Sequence, residues 1–403
     1  MANGLLGCAS SYNVQLTWVA RVDSDGEPLP QARLHQRGLL TGVTNVKWAR
    51  AYNAIAGATI EIGSDDAAPP CADLLSEIQP GVHEIVIYRN EPGQISGERV
   101  FEGPITRMVQ ATDTQVVTIE AGDICTWFSE GERRNEVDYG YVLNKTDMQY
   151  QGMDPVEIAA AVIEDNFTGA YAAPDDFALI LDYMYQNPVG TNIDYTRGVT
   201  FEYIIDTLDD LTKFGLLYAA VGRRLILSAP AHVNSPIRAR LTPEHFSAGV
   251  EVIYNGDLTG TYGWAVADGE SQDDDVRAVG YGTVGTAYGQ RESRVEVDRD
   301  TSDADMETAA RRAIQGHQYP PVEIEMPTNA TLLPESPIEI TQIRPGTARV
   351  DVFITQVFRP VRQAFMIESM EVVWDGSTEE VKVTLTPLGV PTAITPPGGG
   401  GNE

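Results

Sequence analysis

Hydrophobic positions in this chain alternate with polar ones far more often than they recur at helical spacing. VQLTWVARV (Val14–Val22) places Val14, Leu16, Trp18, Ala20 and Val22 on one side of a strand, and a polar stretch, DSDGEPLPQ, ends it. VTNVKWARAYNAIAGATIEIG (Val43–Gly63) leads into a further short strand, ATIEI. Three more runs follow the Pro-rich SDDAAPPCADLL: HEIVIYR from His83, RVFEGPITRMVQ from Arg99 and QVVTIEA from Gln115. Ile85, Ile87, Phe101, Ile105, Val109, Val117 and Ile119 share the apolar side, while Glu84, Arg99, Glu102 and Thr118 take the polar side. That pattern predicts an antiparallel meander buried on one face. GDICTWF then changes period, with Ile124, Trp127 and Phe128 at helical spacing and Asp123 placed to cap the turn. Residues 1–130 therefore read as one mostly β domain.

The middle of the chain is more helical. DPVEIAAAVIEDNF starts with Asp154 as cap, Pro155 in the first turn and Glu157 three residues after the cap, and Ile158, Val162 and Ile163 form its stripe. FEYIIDTLDDLTKFG carries Phe201, Ile204, Ile205 and Leu208 on one face and stops at Gly215. LLYAAVGRRLILS predicts a hairpin turning at Gly222–Arg223. Residues 131–230 are thus expected to be an α+β insertion, and 231–300 a Gly/Tyr- and Asp-rich connecting region. Ser302 and Asp305 open another helix, SDADMETAARRAIQG, with Met306, Ala309, Ala310 and Ala313 inward and Gly316 as the stop. VEIEM, SPIEITQI, ARVDVFITQV, FMIESMEVVW and EEVKVTLTP all read as period-two strands, the last two joined at Asp375–Gly376. Residues 301–390 then form a helix plus antiparallel β domain, and 391–403 a flexible Pro/Gly tail.

Two of these regions together resemble the minor tail proteins of long-tailed (siphovirus-type) actinobacterial phages, of the baseplate-hub or tail-hub type. The first is the order of strand, loop, EGPI-containing strand, strand and D-(x)n-W between His83 and Phe128. The second is RESRVEVDRDTSDAD with AARRAI, followed by VEIEMP and closing on MEVVWDGSTEEVKVTLTPL. Where that family has a PGD-like turn, this chain reads LLPESPIEI. The two regions cover about half of the chain, and the insertion between them carries no such resemblance.

Composition narrows the choices. With 58 acidic against 28 basic residues the formal charge is −30, which disfavours phosphate backbones and anionic membrane surfaces. Cys8, Cys71 and Cys125 form no CxxC and no even framework, as expected of a chain folding in a reducing compartment. LLGC at Cys8 lacks the basic and apolar regions of an export signal, and no apolar run approaches a membrane span. GYGTVG (Gly280, Gly282, Gly285), with Asp300 beyond it, matches a dinucleotide fingerprint in letters only, because TAYGQR follows where a helix is required. The acidic runs at Asp23–Glu27, Asp273–Asp275 and Asp298–Asp305 lack calcium-loop spacing and read as solvated loops and a helix cap. His35, His83, His232, His245 and His317 are scattered, His83 reading as a surface or edge residue. Trp18, Trp127 and Trp374 fall in amphipathic patterns as core anchors, whereas Trp48 and Trp264 are undecided.

The residues therefore nominate no catalytic, cofactor-binding or metal site. A mainly β fold with α+β insertions follows from the patterns, and tail-tube-like β-barrel or antiparallel sheet domains follow from the resemblance. The resemblance also implies a structural virion protein at the tail tip, assembled in the host cytoplasm as a homotrimeric ring. Its implied partners are the distal tail, tail tube and tape-measure proteins, with no specific nucleic-acid binding and no membrane in the mature particle. A virion-associated cell-wall-binding or cell-wall-degrading protein, or a receptor-binding tail protein, is the alternative.

Overall fold

The computed structural model describes residues 10–22, 28–63, 75–91, 97–113, 116–129, 148–164, 181–197, 203–247, 251–254, 260–267, 277–282, 291–314, 322–325, 331–333, 336–355 and 361–393. The N-terminal strands are β1 (Ser11–Val22), β2 (Pro28–Leu40), β3 (Val43–Ala51), β4 (Gly57–Gly63), β5 (His83–Asn90), β6 (Glu98–Gln110) and β7 (Val116–Gly122). A 3₁₀ turn over Ile124–Phe128 leads on to β8 (Met148–Met153), α1 (Pro155–Ile163), β9 (Tyr183–Asn187), β10 (Ile193–Arg197) and α2 (Ile204–Thr212). The hairpin β11 (Leu217–Val221) and β12 (Arg224–Ser228) precedes β13 (Ile237–Leu241), β14 (Glu251–Tyr254), β15 (Tyr262–Ala267), β16 (Arg277–Gly282) and β17 (Glu292–Glu296). The chain closes with α3 (Asp303–Ala313), β18 (Val322–Glu325), β19 (Arg349–Ile354), β20 (Val361–Trp374) and β21 (Glu379–Ala393). The fold is mainly β with antiparallel-rich sheets, as the alternation predicts.

One sheet of eleven strands organises the molecule, in the order β13-β19-β20-β3-β4-β7-β6-β5-β1-β2, with β21 also on β20. The sequence pattern separates an N-terminal from a C-terminal β region, but hydrogen bonding joins them. The first part of β20 (Val361–Met366) pairs with β19, and its last part (Ser369–Trp374) pairs with β3. A single core results, running from Val14, Leu16 and Trp48 to Val350, Phe365 and Val372.

The second core belongs to the middle of the chain. Asp154 caps α1 by accepting from Val156 N, and Ile158, Val162 and Ile163 pack inward as the stripe predicts. They meet Ile204 and Leu208 of α2 and Leu225 and Leu227 of β12. Met306, Ala309 and Ala310 of α3 join this same core against Ala265, Ala267 and Val297. The helix at 303–313 therefore belongs with the middle region and not with the C-terminal strands it precedes. Sequence adjacency cannot reveal this, because an alanine face fits any flat partner.

Three local expectations also change. The stretch expected as a polar loop contains the start of β2 at Pro28, a strand at one end of the sheet where a missing N–H is tolerated. SPIEITQI forms no strand; Ile340–Gln342 is a 3₁₀ turn whose Ile340 and Ile343 fill the large core. Val109 faces outward, 37% exposed, because the ladder slips between Ile105 and Arg107. That bulge reverses the alternation beyond it and turns Met108 toward the core instead. Trp48 is fully buried, Trp127 and Trp374 are nearly so, and Trp18 is half-buried beside His35 and beneath Arg37.

Candidate functional site at the seam between the large sheet and the middle region

The polar side of the meander is not open to water. Glu84 on β5 and Glu102 on β6 are each about 1% exposed, because the tip of the β11–β12 hairpin lies over them. Arg223, the turn residue of that hairpin, reaches both: its guanidinium pairs with Glu84, and its Nε donates to Glu102 Oε1 at 2.5 Å. Arg99 donates to the other oxygen of Glu102 at 2.7 Å and pairs with Asp182 of the middle region. Burial pushes the Glu102 carboxyl up to about 7, against the pull of Arg99, and lowers the Arg223 guanidinium to about 10. Charges removed from water this completely persist only in company, so each side of the seam requires the other.

Gly103 and Asp123 extend the seam. A Cβ on Gly103 would collide with the Gly122 carbonyl oxygen and the Asp123 backbone, so only glycine lets β6 lie so close to that segment. Replacement by alanine is expected to cost roughly 1–3 kcal/mol through forced backbone shifts. Denaturant titration of Gly103→Ala checks it, and an unchanged midpoint would mean that the neighbouring backbone yields freely. The phrase EGPI thus reads as architecture: an ion-paired glutamate, a close-approach glycine, and Ile105 in the core.

Asp123 caps the 3₁₀ turn as its position predicts, accepting from Cys125 N at 2.9 Å, and its second oxygen accepts from Ala56 N at 2.9 Å. Nearby, Asn53 N donates to Tyr218 O at 2.8 Å and Tyr218 N donates to Asn53 Oδ1 at 3.0 Å, tying β11 to the end of β3. Burial pushes the Asp123 carboxyl up to about 7 from an ordinary 3.8, with the Ala56 and Cys125 amides pulling the other way. The folded state therefore holds a proton that the unfolded chain releases. The stability this contributes is complete below the unfolded value and lost as pH rises through about 7. The thermal midpoint is expected to fall between about pH 4 and about pH 7 and to change little through this group above that, with a shallower fall in Asp123→Asn. Equal slopes in the two proteins would assign the effect to other groups.

Two further buried arginines serve the same purpose elsewhere. Arg50 lies under Trp48, 5.0 Å from the ring centre, and donates to the carbonyls of Val100 (2.9 Å), Ile340 (3.2 Å) and Ile343 (3.1 Å). Arg89 forms a fork with Glu379, at 2.7 and 2.9 Å, and Tyr12 donates to the same carboxylate at 2.6 Å. The sequence pattern does not single out Arg50, Arg89 or Glu379, and it marks Arg223 only as a turn residue. A charged residue inside an alternating strand or a tight turn gives no sign of burial until its cover is known.

The residues with chemical potential do not converge. Asp23–Glu27 and Asp273–Asp275 lie outside the described residues, as do Cys8, Cys71, His317 and Gly285. Asp305 is buried at the start of α3, accepting from Ser302 Oγ at 2.6 Å and from Asp194 N at 3.2 Å, which makes it a local clasp. Gly280 and Gly282 lie within β16, where the Tyr262 ring covers them and leaves no room for a Cβ. His83 is buried, a departure from its expected surface position, and its Nδ1 accepts from Gln79 N at 3.1 Å. His232 and His245 accept from amides of their own turns. Cys125 is buried and burial pushes its thiol up. Among the described residues no three His, Cys, Asp or Glu side chains assemble as a metal site. An open cleft of about 480 Å³ is lined by residues including Lys47, Thr59, Thr106, Glu120 and Glu371. Its acids are already paired, Glu371 with Lys47 at 2.8 Å and Glu120 with Arg107 at 3.2 Å. No helix among the described residues is long and apolar enough to cross a membrane.

In this geometry the charged residues fasten one part of the fold to another. The prophage MuSo2 43 kDa tail protein from Shewanella oneidensis is similar with a TM-score of 0.54 and 14% identity, over 93% of this chain and 98% of that one. A tail protein from Neisseria meningitidis MC58 is similar with a TM-score of 0.53 and 12% identity, over 93% and 96%. A chain of a PdpA–VgrG complex is similar with a TM-score of 0.51 and 10% identity, over 98% of this chain and 68% of that one. No protein-family model matches the sequence, and no curated protein is similar to it at the level of sequence. The chain thus has, over about nine-tenths of its length, a fold similar to that of these tail proteins.

Proposed function

We propose that this chain is a structural, non-enzymatic component of a phage tail, located at the tail tip as a hub between the end of the tube and the tip. The observation that carries this reading is the likeness in fold to two tail proteins, one of them from a prophage, each matched over more than nine-tenths of both chains. The buried arginine networks support it, because they spend the unusual charges of the chain on cohesion. The siphovirus-type, actinobacterial origin in the resemblance belongs to the same reading. So do the distal tail, tube and tape-measure proteins as neighbours, and assembly in the host cytoplasm.

In this reading three copies ring the tail axis, each contributing two tube-like modules joined through the β3–β20 ladder, so that three chains match a sixfold tube. Both ends of the large sheet, β13 and β2, are unpaired on one side among the described residues. A closed ring would cover such edges. A reconstruction of the tail tip is expected to show three copies on the axis. One copy, six copies, or density confined to peripheral fibres would overturn the reading.

A further inference from the structure

The chain carries 58 acidic residues against 28 basic ones, yet one end of the large sheet is locally reversed in sign. The outer face of β13, β19 and the start of β20 can be followed through the register. Ala239 and Leu241 point into the core beside Val350 and Val352, which leaves Ile237 and Arg240 outward beside Arg349 and Asp351. Phe353 is opposite Arg362 on the same outer face, with the guanidinium 5.3 Å from the ring centre. Arg238 occupies the register shift in β13 and is exposed.

Asp351 is the acid of this face. It is 1% exposed, held by Arg349 at 2.8 Å and approached by Arg362 at 3.5 Å. Arg238 and Arg240 have no ion pair among the described residues. Beside them Ile237 and Val233 are 37% and 43% exposed, and the far backbone edge of β13 is not paired with another described strand. The patch thus combines an apolar centre, free backbone groups and two unspent cations.

We propose that this face is where a second copy of this chain docks, an inference that rests on the multi-copy reading above. Two bodies each carrying −30 repel at long range, and close approach is favourable only where one presents cations to the acids of the other. Arg238 and Arg240 supply them, while the β13 edge and Ile237 supply the contact that is removed from water. The contact is heterologous: the arginine face of one copy meets an acidic surface of the next, the geometry that closes into a ring.

Sedimentation equilibrium of the full chain at about 150 mM salt, where a Debye length of about 8 Å screens the mutual repulsion of two bodies of −30 more than the short-range contact, tests this against the double variant Arg238→Glu, Arg240→Glu. Both positions are exposed, and circular dichroism checks that the variant folds. The wild type is expected to self-associate with concentration. The variant should need at least a tenfold higher concentration, about 1.4 kcal/mol in association free energy. A wild type that stays monomeric to about 100 µM, where contacts of micromolar strength are populated, would overturn the proposal. So would a variant that associates like the wild type, which leaves the tail-tip ring standing with its contacts elsewhere. Fluorescence anisotropy with duplex DNA is the third arm: binding that the variant loses would assign the face to a polyanion and overturn docking of a second copy.

Discussion

Replacing Arg223 with methionine is expected to lower the free energy of unfolding by about 3–5 kcal/mol, among the largest effects of any single exchange in this protein. The change keeps most of the side-chain volume and removes the charge. Glu84 and Glu102 remain buried under the hairpin, and Glu84 loses the partner that its carboxylate meets across the seam. Glu102 keeps Arg99, so the cost concentrates at Glu84. Hydrogen exchange is the discriminating measurement. Amides of β11 and β12 should exchange faster together with those of β5 and β6, since both sides of the seam are released. Neutralising the stranded acids in Arg223→Met with Glu84→Gln and Glu102→Gln is expected to return part of the loss. A decrease below about 1 kcal/mol in Arg223→Met would place the cluster in contact with water and remove its fastening role.

Glu379→Ala is expected to match that effect in size, about 3–5 kcal/mol, at the other side of the large sheet. Glu379 opens β21 and is 6% exposed, yet it receives the fork of Arg89 from β5 and the hydroxyl of Tyr12 from β1. Burial pushes the Tyr12 phenol up, and the Glu379 charge adds to that, so the hydroxyl keeps its proton and donates. Without the carboxylate Arg89 retains the half-buried Glu91 at 3.0 Å and the buried Ser10 at 3.0 Å. The Tyr12 ring also packs on Trp374, 5.5 Å away, so the tryptophan fluorescence should change with the variant. Glu379→Gln, which keeps an acceptor for Tyr12, is expected to fall between wild type and alanine. Equal losses in Gln and Ala would mean that the charge pair alone matters.

Much of the local structure is legible in the letters. Strands β5, β6, β7, β11, β12, β19, β20 and β21 lie where alternation puts them. Asp154 and Ser302 cap their helices as their spacing predicts. These features depend on neighbours a few residues away, so a short window of sequence contains their cause. Failures occur where the cause lies elsewhere. Pro28 and Pro30 suggest a loop, but an edge strand needs hydrogen bonds on one side only. Val109 obeys period two until a bulge, set by pairing with β7, inverts it.

The same division runs through the site. EGPI is visible as a motif, and Asp123 as a cap, because both are contiguous. That Glu102 is buried and that Arg223 closes the seam depend on a hairpin more than a hundred residues downstream, and that Gly103 touches Gly122 depends on how β6 lies against the segment after β7. Opposite charge promises no partner in a chain with so many acids. What the sequence determined by itself is the set of elements: mainly β, a helical middle, acidic, with capped helices and glycine turns. Only the tertiary structure decided how they join, since β3 and β20 are separated by more than three hundred residues and each would pair with many strands of similar pattern. Burial then turned ordinary surface letters such as Glu84, Arg89 and Arg223 into the fastenings of the fold, because a charge acquires its cost and its partner only when water is removed from both.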